Sequence, residues 1–262
     1  MMRALWTAAS GMAAQQSNVD IISNNLANVN TTGFKKVRND FEDLMYQTIR
    51  QAGTSTGADT QLPTGIQIGH GVRQVATQKV YTEGSFQTTG NAYDMAIEGE
   101  GFFQVTLSDG TLAYTRDGSF KKDSTGRIVT SEGYPIEPAI TVPEGATNLA
   151  VSSDGRVSAT LSGQTTPQEL GQIQLAVFVN PAGLESMGKN LLKETAASGN
   201  AVVGNPGADS AGTLVQNTLE MSNVSVVDEM VNMIVAQRAY EMNSKAITTC
   251  DTMLEQAANL KR

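Results

Sequence analysis

"SNNLANVNTTGFKK", residues 23–36, closes an amphipathic run and places four asparagines in its first eight positions. Asparagine side chains compete with the backbone for hydrogen bonds, so they favour caps and turns over helix interiors. Upstream, Leu5, Ala8, Met12, Val19, Ile22 and Leu26 recur at alternating three- and four-residue steps, with Gln15 in the missing place. That is the seven-residue repeat of a helix seam, and it predicts a helix over the first 30 residues, about 45 Å long at roughly 1.5 Å per residue. Few charges interrupt the seam apart from Arg3 and Asp20, which suits a partner outside the chain better than a surface position on its own domain. The Thr-Thr-Gly-Phe step predicts a sharp stop, with Gly33 as the helix-stop residue and Phe34 as a return contact; Gly33 as a simple flexible joint fits equally. Asn24, Asn25, Asn28 and Asn30 are placed to satisfy groups at the helix end or between subunits, or to face solvent in a fraying terminus.

The other end of the chain carries a second long pattern. From Ser222 to Arg262 there is neither proline nor glycine. Ser225 followed by Asp228 resembles a capping box with the shorter acid, and acids in the first turn suit the helix dipole. Val231, Ile234, Met242, Ala246, Met253 and Leu260 lie on one apolar stripe, and Met230, Met233, Tyr240, Ile247 and Leu254 on another. Two stripes exceed what one partner helix needs. Some 36 helical residues would reach about 54 Å, long for a globular domain.

Between the two ends the composition changes. No proline occurs before Pro63 or after Pro206, and no glycine after Gly212. Short Val, Ile, Phe and Tyr segments are split by Asp109-Gly110 and Asp117-Gly118, which predict antiparallel strands joined by tight turns. In "GQIQLAVFVN", alternation favours Ile173, Leu175, Val177 and Val179 on one face. Residues 47–70 are neither clear helix nor clear sheet and read as a linker or extended arm. The expected architecture is therefore mixed α and β. Long terminal helices from 1–45 and 222–262 form a coiled-coil-like axial domain, an extended arm covers 46–75, and an antiparallel barrel-like or sandwich-like body covers 76–221.

The 262 residues carry a formal net charge of -8, which gives no electrostatic footprint for nucleic acid. No apolar run is long enough to cross a bilayer, and the first residues turn polar too early for a cleavable export signal. Chemistry is equally sparse. His70 and Cys250 are single examples of their kind, and neither has the neighbours of a nucleophilic pair. Asp109, Asp117 and Asp123 lack the spacing of a calcium loop and suit turn chemistry. "GEGFFQ" and "GHGVRQ" lack the third glycine of a dinucleotide loop. No catalytic, cofactor or metal residues are expected. Lys35, Lys36 and Arg38 are followed by Asp40, Glu42 and Asp43, which favours local ion pairing. What remains is assembly, in which identical copies joined by non-closing contacts form a helical tube.

Three stretches resemble the bacterial flagellar rod and hook proteins. They are "SNNLANVNTTGFKK", the central "AIEGEGFFQV" with "YTRDGSF" and "GYPI", and "VNMIVAQRAYEMNSKAI" near the end. Together and in order they span nearly the whole chain. Within that family, "FEDLMYQTIRQAG" and "LPTGIQIGHGVR" resemble the distal rod members, and the Tyr46–Arg73 segment fits the proximal rod less well. The resemblance implies a non-enzymatic axial subunit, exported unprocessed by the flagellar type III apparatus into a rod crossing the periplasm. Its neighbours would be further copies of itself, the proximal rod and hook proteins, and the surrounding P and L rings. Leu5, Met12, Val19, Ile22 and Leu26 would seal one helix of an inner tube around the export channel. The stripe from Val231 to Leu260, with Tyr240, would pack from the other. Tyr46, Pro63 and Arg73 mark the segment that distinguishes the rigid rod from the hook.

Overall fold

The seven-residue repeat folds as α1 (Met2–Ala27), a helix that buries Ala8, Ala14, Ile22 and Asn25. The run after Ser225 folds as α2 (Val226–Asn259), with Asp228 and Glu229 in its first turn. Ser225 caps it: its hydroxyl accepts the Asp228 N–H at 3.5 Å and its carbonyl the Glu229 N–H at 3.0 Å. The two helices pack antiparallel. Asn25 near the end of α1 meets Glu229 near the start of α2, and Gly11 lies against Asn243, so close that a Cβ on it would stand 2.8 Å from the amide nitrogen.

The computed structural model describes residues 2–53, 63–162, 166–208 and 210–259. Its contacts divide the chain into two units, Met1–Leu26 with Val37–Gln78 and Ser225–Arg262, and Ala27–Lys36 with Lys79–Val224. This differs from boundaries at 45, 75 and 221. Residues 27–36 group with the β-rich body, and the arm groups with the helices.

The arm is not a bare linker. It contains β1 (Val37–Asp43), β2 (Tyr46–Arg50), β3 (Ile66–Gly69) and β4 (Val72–Lys79), with β1 paired to β4 and β2 to β3. Tyr46 stands opposite Gly69, and the Leu44 N–H reaches the Gly71 carbonyl at 2.9 Å, so the pairings continue as one ribbon. The stretch between β2 and β3 includes residues 54–62, which lie outside the described residues, and so long a separation hid the pairing from a local reading. A two-stranded ribbon is marginal alone, and α1 supports this one. Gly71 has φ +112, and a Cβ there would fall 2.1 Å from the Ser10 hydroxyl. Ser10 also accepts the Val72 N–H, and Ser17 donates to Gln74 at 2.7 Å.

In the second unit a sheet runs in the order Glu185–Gly188, Leu191–Lys193, Leu112–Thr115, Phe102–Thr106, Leu175–Val177, Val202–Gly204. Successive side chains of a strand face opposite ways, and here both faces are covered. Phe103 and Leu175 join Met95, Ile97, Phe120, Ile128, Ile136 and Ile140 on one side. Phe102 and Ala176 join Tyr114, Phe178, Leu184 and Leu192 on the other. The expected face therefore holds for Ile173, Leu175 and half-buried Val177, but Ala176 and Phe178 are buried on the other side and Val179 is 90% exposed. Asp109-Gly110 does turn the hairpin between Phe102–Thr106 and Leu112–Thr115. Asp117-Gly118 does not. Gly118 lies flat against Met95, where a Cβ would overlap its carbonyl oxygen, and the Asp117 carboxylate accepts from Thr32 and Ser119.

The polar core of this unit is an ion triad. The Glu220 carboxylate takes Lys35 Nζ at 2.7 Å on one oxygen and Arg116 Nε at 2.6 Å on the other, with the Glu220 side chain only 1% exposed. Arg116 also donates to the carbonyls of Ile97, Gly99 and Gly101. Burial pushes the Glu220 carboxyl upward, but Arg116 and Lys35 more than offset this and hold it below the ordinary glutamate range. Burial lowers Lys35, against the bond from Glu220; that shift acts at the alkaline end and is constant through the acid range. Glu220's contribution is thus present above the ordinary glutamate pKa and lost as pH falls through its depressed one. Acid titration of unfolding should show this loss below about pH 4; stability unchanged through that range would remove Glu220 as its source.

Tyr81 is the converse case. Its hydroxyl is buried with no hydrogen-bond partner among the described residues, and burial pushes its pKa up to about 12. Its ring packs edge-on against Phe102 at 5.5 Å. An unsatisfied buried hydroxyl costs about 1–3 kcal/mol, so Tyr81→Phe should leave the denaturant midpoint unchanged or raise it; a clear fall would show a hidden partner.

Candidate assembly surface

The helical unit buries little of what its sequence offers. In α2 only Glu229 and Ala236 are fully buried. Met233, Asn243, Ile247 and Leu254 are half-buried, so the face turned inward carries many small and polar residues. Val227, Met230, Val231, Ile234, Val235, Met242 and Met253 are all exposed, Met242 by 65%. Ala246 and Tyr240 are exposed as well. The first apolar stripe read in the sequence thus faces outward, apart from half-buried Cys250; the second supplies most of the large residues turned inward. Leu260 lies outside the described residues.

The α1 seam divides differently. Ile22 is buried at 4% exposure, and Leu5, Met12, Val19 and Leu26 are half-buried. With Gln16, Val19 lines a shallow groove whose other wall is Gln237, Tyr240 and Glu241 of α2. Trp6 stands out at 73% exposure.

Of the asparagines, Asn25 is 1% exposed. Its amide accepts the Val37 N–H at 2.9 Å and donates to the Val37 carbonyl at 2.8 Å, as a neighbouring strand would. Asn24 and Asn30 are exposed, and Asn28 accepts from the Thr31 hydroxyl in the turn after α1. Gly33 is not the helix stop, because α1 has already ended at Ala27. It has φ +67, donates its N–H to the Glu220 carbonyl, and lies so close to Arg116 and Asp117 that a Cβ would meet backbone at 2.6 Å. Phe34 is half-buried beyond it.

The ribbon adds a second uncovered surface. Met45, Tyr46, Ile49, Ile66, Ile68 and Val75 are exposed on it. Tyr46 covers Gly69, its ring 3.2 Å from where a Cβ would be, and Asp43 beside it raises the phenol pKa. Arg73 pairs with Glu42, and Arg38 with Asp40. Pro63 is exposed at the edge of the segment outside the described residues.

Sequence reasoning missed the anchors Ser10, Ser17, Gly71 and Gln74, a glycine and three polar residues that are unremarkable until the ribbon is laid on α1. Gly11 gave a signal, since glycine inside a helix costs about 1 kcal/mol and asks for a packing reason. Among the described residues no group of three or more His, Cys, Asp or Glu is gathered as a metal site, and no helix is long and apolar enough to cross a membrane.

Known families match in three places. Residues 5–35 match the flagella basal body rod protein family, residues 96–159 the D1 domain of flagellar hook protein FlgE/F/G, and residues 215–260 the C-terminal family of flagellar basal body rod FlgEFG proteins. Flagellar basal-body rod protein FlgG of Borreliella burgdorferi is 57% identical over 264 residues, covering 100% of both chains. The proteins of that name from Buchnera aphidicola of Schizaphis graminum and from Caulobacter vibrioides are 54% and 49% identical, each over 99% of this chain and 100% of the relative. A helical pair with its apolar side uncovered agrees with matches of that extent: this chain belongs to the FlgG family of flagellar basal-body rod proteins.

Proposed function

We propose that this rod protein is a subunit of the distal rod whose work is mechanical: copies polymerise through their terminal helices into a rigid hollow tube that carries motor torque to the hook around the export channel. The observation that carries this reading is the exposed face of α2 from Val227 to Met253. A soluble monomer rarely leaves a contiguous apolar patch of that kind open. Copies that set this face against a different surface of the next copy build an open helical array. Membership of the family supports the remaining neighbours: proximal rod and hook proteins at the ends, P and L rings around the tube, and the type III apparatus that delivers the subunit.

The energies favour many contacts over one. Fully burying a Val, Ile or Met side chain returns roughly 1.5–3 kcal/mol. Covering Val231, Ile234, Val235, Met242 and Met253 is therefore of the same order as the roughly 4–15 kcal/mol lost on association. The α2 face alone sits near balance, and the ribbon's uncovered residues supply the second contact.

Val231→Asp with Ile234→Asp should abolish sedimenting polymer while leaving the circular dichroism and melting of the chain near those of the parent, because both side chains are exposed. Polymer of unchanged mass would refute the reading. Ile22 is unsuitable for this purpose, being buried in the helical pair. For the ribbon, Ile49→Ser with Ile66→Ser should yield tubes that bend more readily while secretion continues. Electron micrographs showing the parent's stiffness would remove the ribbon from the assignment.

A further inference from the structure

The chain passes between its two units four times, after Leu26, Lys36, Gln78 and Val224. Buried polar side chains tie these passages to one another inside each unit. In the helical unit, Asn25 holds both backbone groups of Val37 and approaches Glu229 at 3.4 Å. One amide thus gathers the first, second and fourth passages. In the β-rich unit, the Asn223 side chain accepts the Lys36 N–H at 2.8 Å and donates to the Val80 carbonyl and to Thr82. The Val80 N–H returns to the Lys36 carbonyl at 2.9 Å. Lys35 adds a bond to the Thr82 carbonyl at 2.7 Å, and Glu220 draws in Lys35 and the Gly84 N–H. Here the second, third and fourth passages are gathered.

We propose that Asn25, Asn223 and Glu220 are positioning residues that bind these passages into two polar clasps, so that torque reaching either unit is shared by several lengths of chain at once. This rests on the torque-carrying reading above. Each single passage has two soft dihedrals per residue and can swivel. Passages fastened side by side cannot twist independently. The residue types suit the task. Asparagine offers a donor and an acceptor on one rigid plane, so it can hold the N–H of one segment and the carbonyl of another. The bonds of Asn25 and Asn223 go chiefly to backbone within a few residues of a passage, where they restrain the chain's path.

Glu220→Gln leaves Lys35 and Arg116 buried without a counter-charge and risks unfolding the unit, so Asn223→Ala decides the matter in the full-length chain. Hydrogen exchange at residues 33–37 and 80–84 should rise about tenfold or more while Phe102–Thr106 keeps its protection. Tubes of parental mass should form with lower torsional stiffness. Unchanged exchange in both segments overturns the clasp. A rise spread equally to Phe102–Thr106 also overturns it, by showing general packing instead. Raised exchange with unchanged stiffness overturns the mechanical role. If the parent chain itself makes no tubes, the shaft reading and the torque role that rests on it both fail, and the exchange pattern still decides the clasp.

Discussion

In the β-rich unit one buried carboxylate decides which distant segments of the chain meet. An isolated carboxylate in a protein interior is so costly that it either neutralises or acquires partners. Glu220 has two, and the requirement propagates. Gly99 and Gly101, at φ +106 and +139, break the chain between Met95–Glu98 and Phe102–Thr106. The break leaves the carbonyls of Ile97, Gly99 and Gly101 without strand partners on that side. Arg116 collects all three through its fork of donors. The guanidinium then needs an anion, which Glu220 supplies, and the second oxygen of Glu220 draws in Lys35. A bend in one strand thereby fixes where residues 32–36 must lie. Apolar residues of equal volume could match such a triad in stability. They would not specify which distant segments meet.

The helical unit follows the opposite rule. Its helices meet at Gly11 with Asn243 and at Asn25 with Glu229. Many of their large side chains stay outside. An apolar stripe of α2 points outward instead of into the pair, and a helix of 34 residues fully buries two of them. One unit satisfies its demands internally; the other carries its apolar surface on the outside.

The sequence made the helices legible because their periodicity is local, and it made the α2 cap legible because Ser225 and Asp228 lie within one turn. The hairpin at Asp109-Gly110 was readable for the same reason. Failures came where the deciding contact is remote. Lys35 looked like a member of a local charge cluster with Asp40 and Glu42, yet its partner lies 185 residues away. Gly33 looked like a helix stop, whereas what demands glycine is backbone at Arg116 and Asp117. The ribbon was unreadable because β2 and β3 are joined by a segment too long to be read as a tight hairpin turn. Val179 was misplaced because the strand ends at Val177, where its alternation stops. The outward stripe of α2 was visible as a stripe; which of its two stripes faces inward depends on where α1 lies against it, and that contact is remote in sequence.

These two rules have a consequence for how a rod would grow. If a single α2 face returns about as much free energy as association removes, two copies meeting in solution gain little by staying together. A copy arriving at a tube end, where several neighbours cover α2 and the ribbon at once, loses that freedom once and gains every contact. Growth at an end is then favoured over pairing in solution, without any switch in the fold. The β-rich unit can remain the same before and after, because its ion triad is complete within one chain. On the proposed reading, what assembly would change is the cover over Val231, Ile234 and Met242, and mechanical continuity would follow only if the chain segments leading from that cover do not swivel.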